Sequence, residues 1–334
     1  VGRDLDFYTR TDQGTVTRDV YAEGAVGARG GNYGPPIFLE GAQAFDSTGN
    51  YGDIRTVYPE PLDFANFWDD LETLREIACG GAGLCLDRTR NPSLGLSEDP
   101  TAWLIEPVVD GSVGRLRVSA AYSNESRACV TTEEWWWLNS ASASWTLVGI
   151  FDIPPSGAVW ANEHVIMGKE TAGTVKGAVT IAAGAAGSPK NIVIGGDLLY
   201  AGGKNGTDVL GLAATDEVWV SPSSVGSDEE LNINAAILAQ GGSFQVARSC
   251  GGNGNVQLPR SGSTPTSTLN TYGSMAILHT TGDVAAHFSP RNYGFDPRLE
   301  RLRPPHFPLL GDGWLYENWR ETTLPCWART SGSC

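Results

Sequence analysis

The chain has 334 residues, a formal net charge of −15 and a sequence pI near 4.6. That charge repels a phosphate backbone on average, so nucleic-acid binding needs a local basic patch. With 42 Gly, two Met and only 18 % charged residues, the composition excludes a helical bundle and suits a turn-rich β protein.

In chain order, Asp19–Ala28 and Pro36–Phe45 read as two weak strand-and-turn units separated by a Gly/Asn/Pro break. A single helix is then expected over about 63–79, N-capped by Asp63 and stopped by Gly80 and Gly81. Its apolar residues Phe64, Phe67, Trp68, Leu71, Leu74 and Ala78 recur at three- and four-residue spacing, which puts them on one face. Asp69, Asp70 and Glu72 fall near its start, where the macrodipole favours negative charge. Such a helix must dock, and the expected place is an open end or a flank of a β body.

Residues 91–160 are irregular but aromatic, and Arg115–Ser119 alternates as a strand with one wet face. On a strand, Trp135 and Trp137 face one way and Trp136 the other, so this triplet supplies at least one core ring and is a candidate ligand surface.

Downstream the apolar segments 175–181, 191–200, 208–220, 231–239 and 273–279 are short, rich in Val and Ile, and bounded by Gly, Ser, Asn or Asp. Their recurrence at roughly twenty residues reads as stacked coils of a β-solenoid. From Arg291 the composition changes. Pro304, Pro305 and Pro308 cannot donate to a central sheet, so 291–334 is expected as an extended clamp packed on a body formed by 1–290.

Six cysteines, Cys79, Cys85, Cys129, Cys250, Cys326 and Cys334, lack zinc-site spacing and read as disulfides of an oxidising compartment. The favoured pairing is Cys79–Cys85, Cys326–Cys334 and Cys129–Cys250, with the other connectivities open. The start, Val1-Gly-Arg-Asp, is not a signal peptide, and a removed leader or an ectodomain is expected. Asn124 and Asn205 sit in glycosylation sequons.

Chemistry has few candidates. Acid–base cleavage of a polysaccharide needs two facing carboxylates, for which Asp197, Asp208, Asp216 and Glu217 are available. Asp208 and Asp216 share strand parity if one strand runs unbroken, but Asp is also a turn residue. His164, His279, His287 and His306 lie in unrelated contexts, so neither a hydrolase triad nor a His-ligated metal site is expected. The turn 202–208 lacks the repeated acids of calcium-binding solenoids, and no cofactor is expected. The densest basic stretch is Arg298, Arg301 and Arg303, interrupted by Glu300; Arg301 and Arg303 are the candidate contacts to DNA.

The order of Asp208–Ala214, Leu231–Phe244, Gly273–Ala276, Tyr293-Gly-Phe-Asp-Pro-Arg298 and Pro304-Pro-His-Phe-Pro308 resembles the extracellular region of type IV pilus-associated proteins. These are PilX-like minor pilins with an inserted β-solenoid. The similarity runs from the Val20–Gly24 region to Trp319 and rests on order more than on any one motif. It implies an all-β fold, a right-handed parallel β-solenoid with one capping helix and a C-terminal clamp. It further implies a non-enzymatic, extracellular filament component acting in tip assembly, adhesion or DNA uptake. Its partners would be other pilin subunits and a surface glycan or DNA, with membrane contact only through an N-terminal apolar helix that is not part of this sequence, so that either the helix was removed or the chain is held on the surface differently. A secreted polysaccharide-active β-helix enzyme is the alternative.

Overall fold

The computed structural model describes residues 67–122, 145–168, 173–220, 230–246, 267–279, 284 and 288–308, together with short strands at 5–8, 15–16, 26–29, 37–38, 249–250 and 256–257. The chain divides into two units, Val1–Ala65 and Asn66–Cys334. In the first, β1 (Leu5–Tyr8) and β2 (Thr15–Val16) pair in parallel with β3 (Val26–Arg29) and β4 (Ile37–Phe38) respectively.

The second unit opens with α1 (Phe67–Ile77) and a π turn over Ala78–Ala82, then β5 (Leu84–Leu86). An antiparallel meander follows, formed by β6 (Ala102–Asp110), β7 (Val113–Ala121) and β8 (Thr146–Asp152). The chain then winds through β9 (Ala158–Ala161), β10 (His164–Met167), β11 (Gly173–Val175) and β12 (Ala178–Ala185). After a short hairpin return, β13 (Ser188–Pro189), come β14 (Ile192–Ile194), β15 (Leu198–Tyr200), β16 (Val209–Ala214) and β17 (Val218–Val220). The path continues with β18 (Glu230–Ala239), β19 (Phe244–Val246), β20 (Ser249–Cys250), β21 (Val256–Gln257), β22 (Ser267–Ile277) and β23 (Phe288–Phe295).

Two large, mostly parallel sheets result. In one, β5, β9, β12, β16, β18, β22 and β23 stack in that order, with β11 and β15 joining at the N-terminal half of β18. In the other, β6, β10, β14, β17 and β19 stack, and β7 and β8 extend the β6 edge. Registers align like with like: Leu84, Val159, Ile181, Leu212, Ile237 and Met275 form one row. Trp103, Val165, Ile192, Val218 and Phe244 form a facing row. Both rows belong to one continuous core. Burying such a side chain contributes roughly 1.5–3 kcal/mol, and no single turn of the path can bury its row alone.

The expected fold is met in its parallel β character and its single described helix, but among the described residues neither sheet closes on itself. The repeat also departs from a steady twenty residues, since Ile181 is matched by Leu212 and Ile237 by Met275. Gly195-Gly196 breaks the segment 191–200 into two strands, and Thr215–Glu217 breaks 208–220, because the chain turns a corner at each.

The helix buries Phe67, Leu71, Leu74 and Ala78, with Trp68 half-buried. It lies on the outer flank of β9 and β12, where Trp160 and Ala182 are buried opposite the core-facing Val159 and Ile181. The expected N-cap, Asp63, and Phe64 lie outside the described residues. Cys79 and Cys85 are bonded and close the glycine loop, in which Gly81 takes a φ of 94°. Cys129, Cys326 and Cys334 lie outside the described residues, and Cys250 is described only as strand backbone.

A domain boundary at 290 would cut through β23, whose residues 291–295 pair with β22. Of the segment beyond it, residues 296–308 are described: a 3-10 turn, Pro297–Glu300, leads into a strap along the flank. A Cβ on Gly211 would stand 2.5 Å from a Phe307 ring carbon and 3.0 Å from Pro304, and one on Gly157 would stand 2.5 Å from Pro305. These two glycines are therefore the seats of the strap. Gly211→Val suits a strand intrinsically, yet removes the seat. We expect it to speed amide exchange at Phe307, whose N–H donates to Pro304, and to cost roughly 1–3 kcal/mol of stability by denaturant melt.

Candidate functional site

The carboxylates available for catalysis are bound into the stack. Asp208 accepts the Gly177 N–H at one oxygen and the Gly202 N–H at the other, both at 2.7 Å, and so brackets two corners. Asp197 accepts the Asn232 N–H at 2.7 Å, reaching the next turn of the path. Asp208 and Asp216 sit at opposite ends of the six-residue β16, about 25 Å apart along an extended chain, far beyond the carboxyl separation of either class of glycosidase. The unbroken-strand pairing of these two acids is thereby corrected.

A polar ladder lines a second corner. Asn191 N–H donates to His164 Nδ1 at 3.0 Å, and Glu217 N–H donates to Asn191 Oδ1 at 2.9 Å. Gln245 Nε2 at 2.9 Å and Ser243 Oγ at 3.4 Å then donate to Glu217 Oε1. His164 opens a strand of the second sheet and Asn191, Glu217 and Ser243 each immediately precede one, so the ladder records its register. Burial pushes the Glu217 carboxyl above its usual range, helped by Asp216 and opposed by Gln245 and Ser243.

The third cluster lies where the strap begins. Asp296, fully buried, accepts from the Arg298 N–H at 3.0 Å and from its guanidinium at 2.7–3.2 Å. Arg298 Nη1 donates to the Gly206 carbonyl at 2.6 Å, and its guanidinium stands 4.8 Å from the Tyr200 ring centre and 5.8 Å from that of Tyr272. Lys204 Nζ lies 4.6 Å from the Tyr272 ring centre. Burial opposes the charge on Asp296, but hydrogen bonds from Arg298 and Tyr272 outweigh it and hold the carboxyl below its usual range. Burial chiefly pushes the Tyr200 hydroxyl up to about 12.

Beyond this staple, Arg301 and Arg303 are exposed on the strap. Arg298, the third member of the basic stretch, is taken up by the staple. Trp135, Trp136 and Trp137 lie outside the described residues, as do His287 and Asn124. Trp145 packs against a second apolar row, Leu104, Ile166, Val193 and Trp219, on the outer face of the second sheet. Asn205 is exposed in the 3-10 turn Gly203–Asn205. Among the described residues no three His, Cys, Asp or Glu side chains gather as a metal site. A shallow cleft of about 180 Å³ between α1 and Gly184–Ala186 is smaller than the ~300 Å³ at which small-molecule sites begin.

Sequence reasoning missed the His164–Asn191 ladder and the Tyr200–Tyr272–Arg298 stack. The Asp-Pro-x-x turn opener at Asp296 was the one local signal for the latter. Comparison with protein-family models, with curated proteins and with solved structures gives no match to the chain. The resemblance to pilus-associated proteins stands on the sequence landmarks alone.

Two titrations follow with opposite sign. Glu217 has a raised folded value, so its ionisation costs the native state stability at neutral pH, and wild-type stability recovers as pH falls toward the unfolded value near 4.3. Glu217→Gln keeps the Gln245 bond and should raise Tm by about 1–3 °C at pH 7, a difference that vanishes below about pH 4. Asp296 has a depressed folded value, so its contribution is complete above about pH 4 and is lost as pH falls through the folded value. Near-ultraviolet circular dichroism of Tyr200 and Tyr272 should report that loss.

Proposed function

We propose that the chain is a right-handed β-solenoid serving as a non-enzymatic, extracellular component of a type IV pilus-like surface filament. The observation that carries the scaffold reading is the use of Asp197, Asp208 and Glu217 as brackets between successive turns of the path, which ties the acids to register rather than to a substrate. Parallel strands whose partners recur one circuit later support the solenoid winding. The Cys79–Cys85 bond suits an oxidising compartment. The filament assignment rests on the landmarks from Asp208 to Pro308, and its partners are other filament subunits. Ligand contact, with a surface glycan or DNA, is assigned to the flank bearing Arg301 and Arg303. Among the described residues no helix is long and apolar enough to cross a membrane.

Immunogold labelling of intact cells with an antibody to this chain is the direct test. Gold at filament tips or along filaments is the expected result, and gold confined to the cell body or the medium overturns the filament assignment. For the scaffold reading, Asp208→Ala orphans two backbone N–H groups. It should cost roughly 2–5 kcal/mol in a denaturant melt. Polysaccharide cleavage by the wild-type chain that the isosteric Asp208→Asn abolishes without loss of stability would restore the enzyme alternative.

A further inference from the structure

The last strand of the first sheet presents an open edge among the described residues. Among the described residues β23 has β22 on one side and no strand on the other, and every residue from Ser289 to Phe295 is exposed. Its side chains nonetheless continue core rows. Arg291 is in register with the buried Leu269, and Tyr293 with Thr271 and, through it, the buried Ile233. Phe295 continues the row of Ala235 and Gly273. Rows that are apolar and covered in earlier strands thus end in Tyr293, 54 % exposed, and Phe295, 60 % exposed. Aromatics in core parity on an open strand edge mark a surface for strand addition.

The backbone says how. The Asp296 N–H donates to the Gly273 carbonyl, so by strand alternation residues 292, 294 and 296 turn their backbone groups toward β22, and Arg291, Tyr293 and Phe295 turn theirs to the open side. Pro290 has no N–H and Asp296 is held by Arg298, which bounds the available run at 291–295. An antiparallel pair about a twofold axis at Tyr293 makes three hydrogen-bonded pairs: Tyr293 with its own copy, and Arg291 with Phe295 on each side. All three outward N–H and C=O pairs are then satisfied.

Charge selects this partner. Arg291 is the one charged side chain of the run, and the twofold sets it against an aromatic ring instead of against its copy, a favourable cation–aromatic pair at both ends. On the other face Gly294 stands opposite Asn292, the last member of a carboxamide ladder. In that ladder Asn292 donates to Asn270 at 2.8 Å, and Asn270 to Asn232 at 3.0 Å. A chain of net charge −15 repels itself elsewhere, which confines the contact to this neutral to basic strip.

We infer that two copies of this chain associate through antiparallel pairing of β23, with Arg291, Tyr293 and Phe295 as the self-complementary set. The inference goes beyond the filament assignment and does not depend on it.

The test is light scattering and sedimentation of the whole chain over micromolar to submillimolar concentration. A concentration-dependent dimer is expected. Tyr293→Lys sets like charges across the axis and should raise the dissociation constant about tenfold or more, whereas Phe295→Glu, now opposite Arg291, should leave it dimeric. Both substituted positions are exposed, so unchanged circular dichroism verifies folding. A chain monomeric throughout, a dimer indifferent to Tyr293→Lys, or one abolished by Phe295→Glu overturns the proposal; none of these results bears on the labelling of filaments.

Discussion

Register between successive turns of the path is the constraint on which the rest of this structure depends. A parallel strand of three or four residues, such as β10, β14 or β17, cannot satisfy its own backbone groups or bury its own side chains. Both needs are met only by the equivalent strand one turn away. A slip of one residue would send Val165, Ile192 and Val218 to the outer face, so the polar corner residues matter as much as the core. Asp208, Asp197, Asn191 and His164 each place a side-chain acceptor on a backbone N–H of a neighbouring turn and hold it in step.

That use of polar groups shapes what the molecule can do. The Asp208 carboxylate, with one backbone N–H at 2.7 Å on each oxygen, is held in orientation by the corners it joins. One flank is covered, by α1 over Trp160 and Ala182 and by the strap over Gly157 and Gly211. The strap is fastened by Arg298, which joins Asp296, the Gly206 carbonyl and two tyrosine rings. By contrast β23 has no strand on its outer side among the described residues and ends core rows in aromatic side chains. The filament role proposed above would draw on both properties, a body that resists unravelling and an edge that another chain can join.

Much of the fold was legible because its signals are local. Gly80 and Gly81 end the helix where the chain turns, and the spacing of Phe67, Leu71, Leu74 and Ala78 marks its buried face. Val and Ile runs marked the strands, and Pro304 and Pro305 marked a segment that lies over the sheet rather than in it. The candidate site was less legible. Asp208 looks the same in sequence whether it brackets a corner or faces a substrate, and Arg298 looks the same as Arg301, although one is locked in a staple and the other is exposed.

The sequence by itself determined the parallel β class, the single helix and its apolar face, the Cys79–Cys85 closure and the wrapping of the proline segment, because each depends on the conformational preferences of neighbouring residues. Only the tertiary structure decided which residue lies beside which across the turns. It set Asn191 between His164 and Glu217, it brought Arg298 to Gly206, and it left Tyr293 at the open end of a core row. The physical reason is that the path from one turn to the next varies in length, from Val159 to Ile181 in one circuit and from Ile237 to Met275 in another. Contacts between turns are thus set by the packing of the stack and not by any constant spacing along the chain.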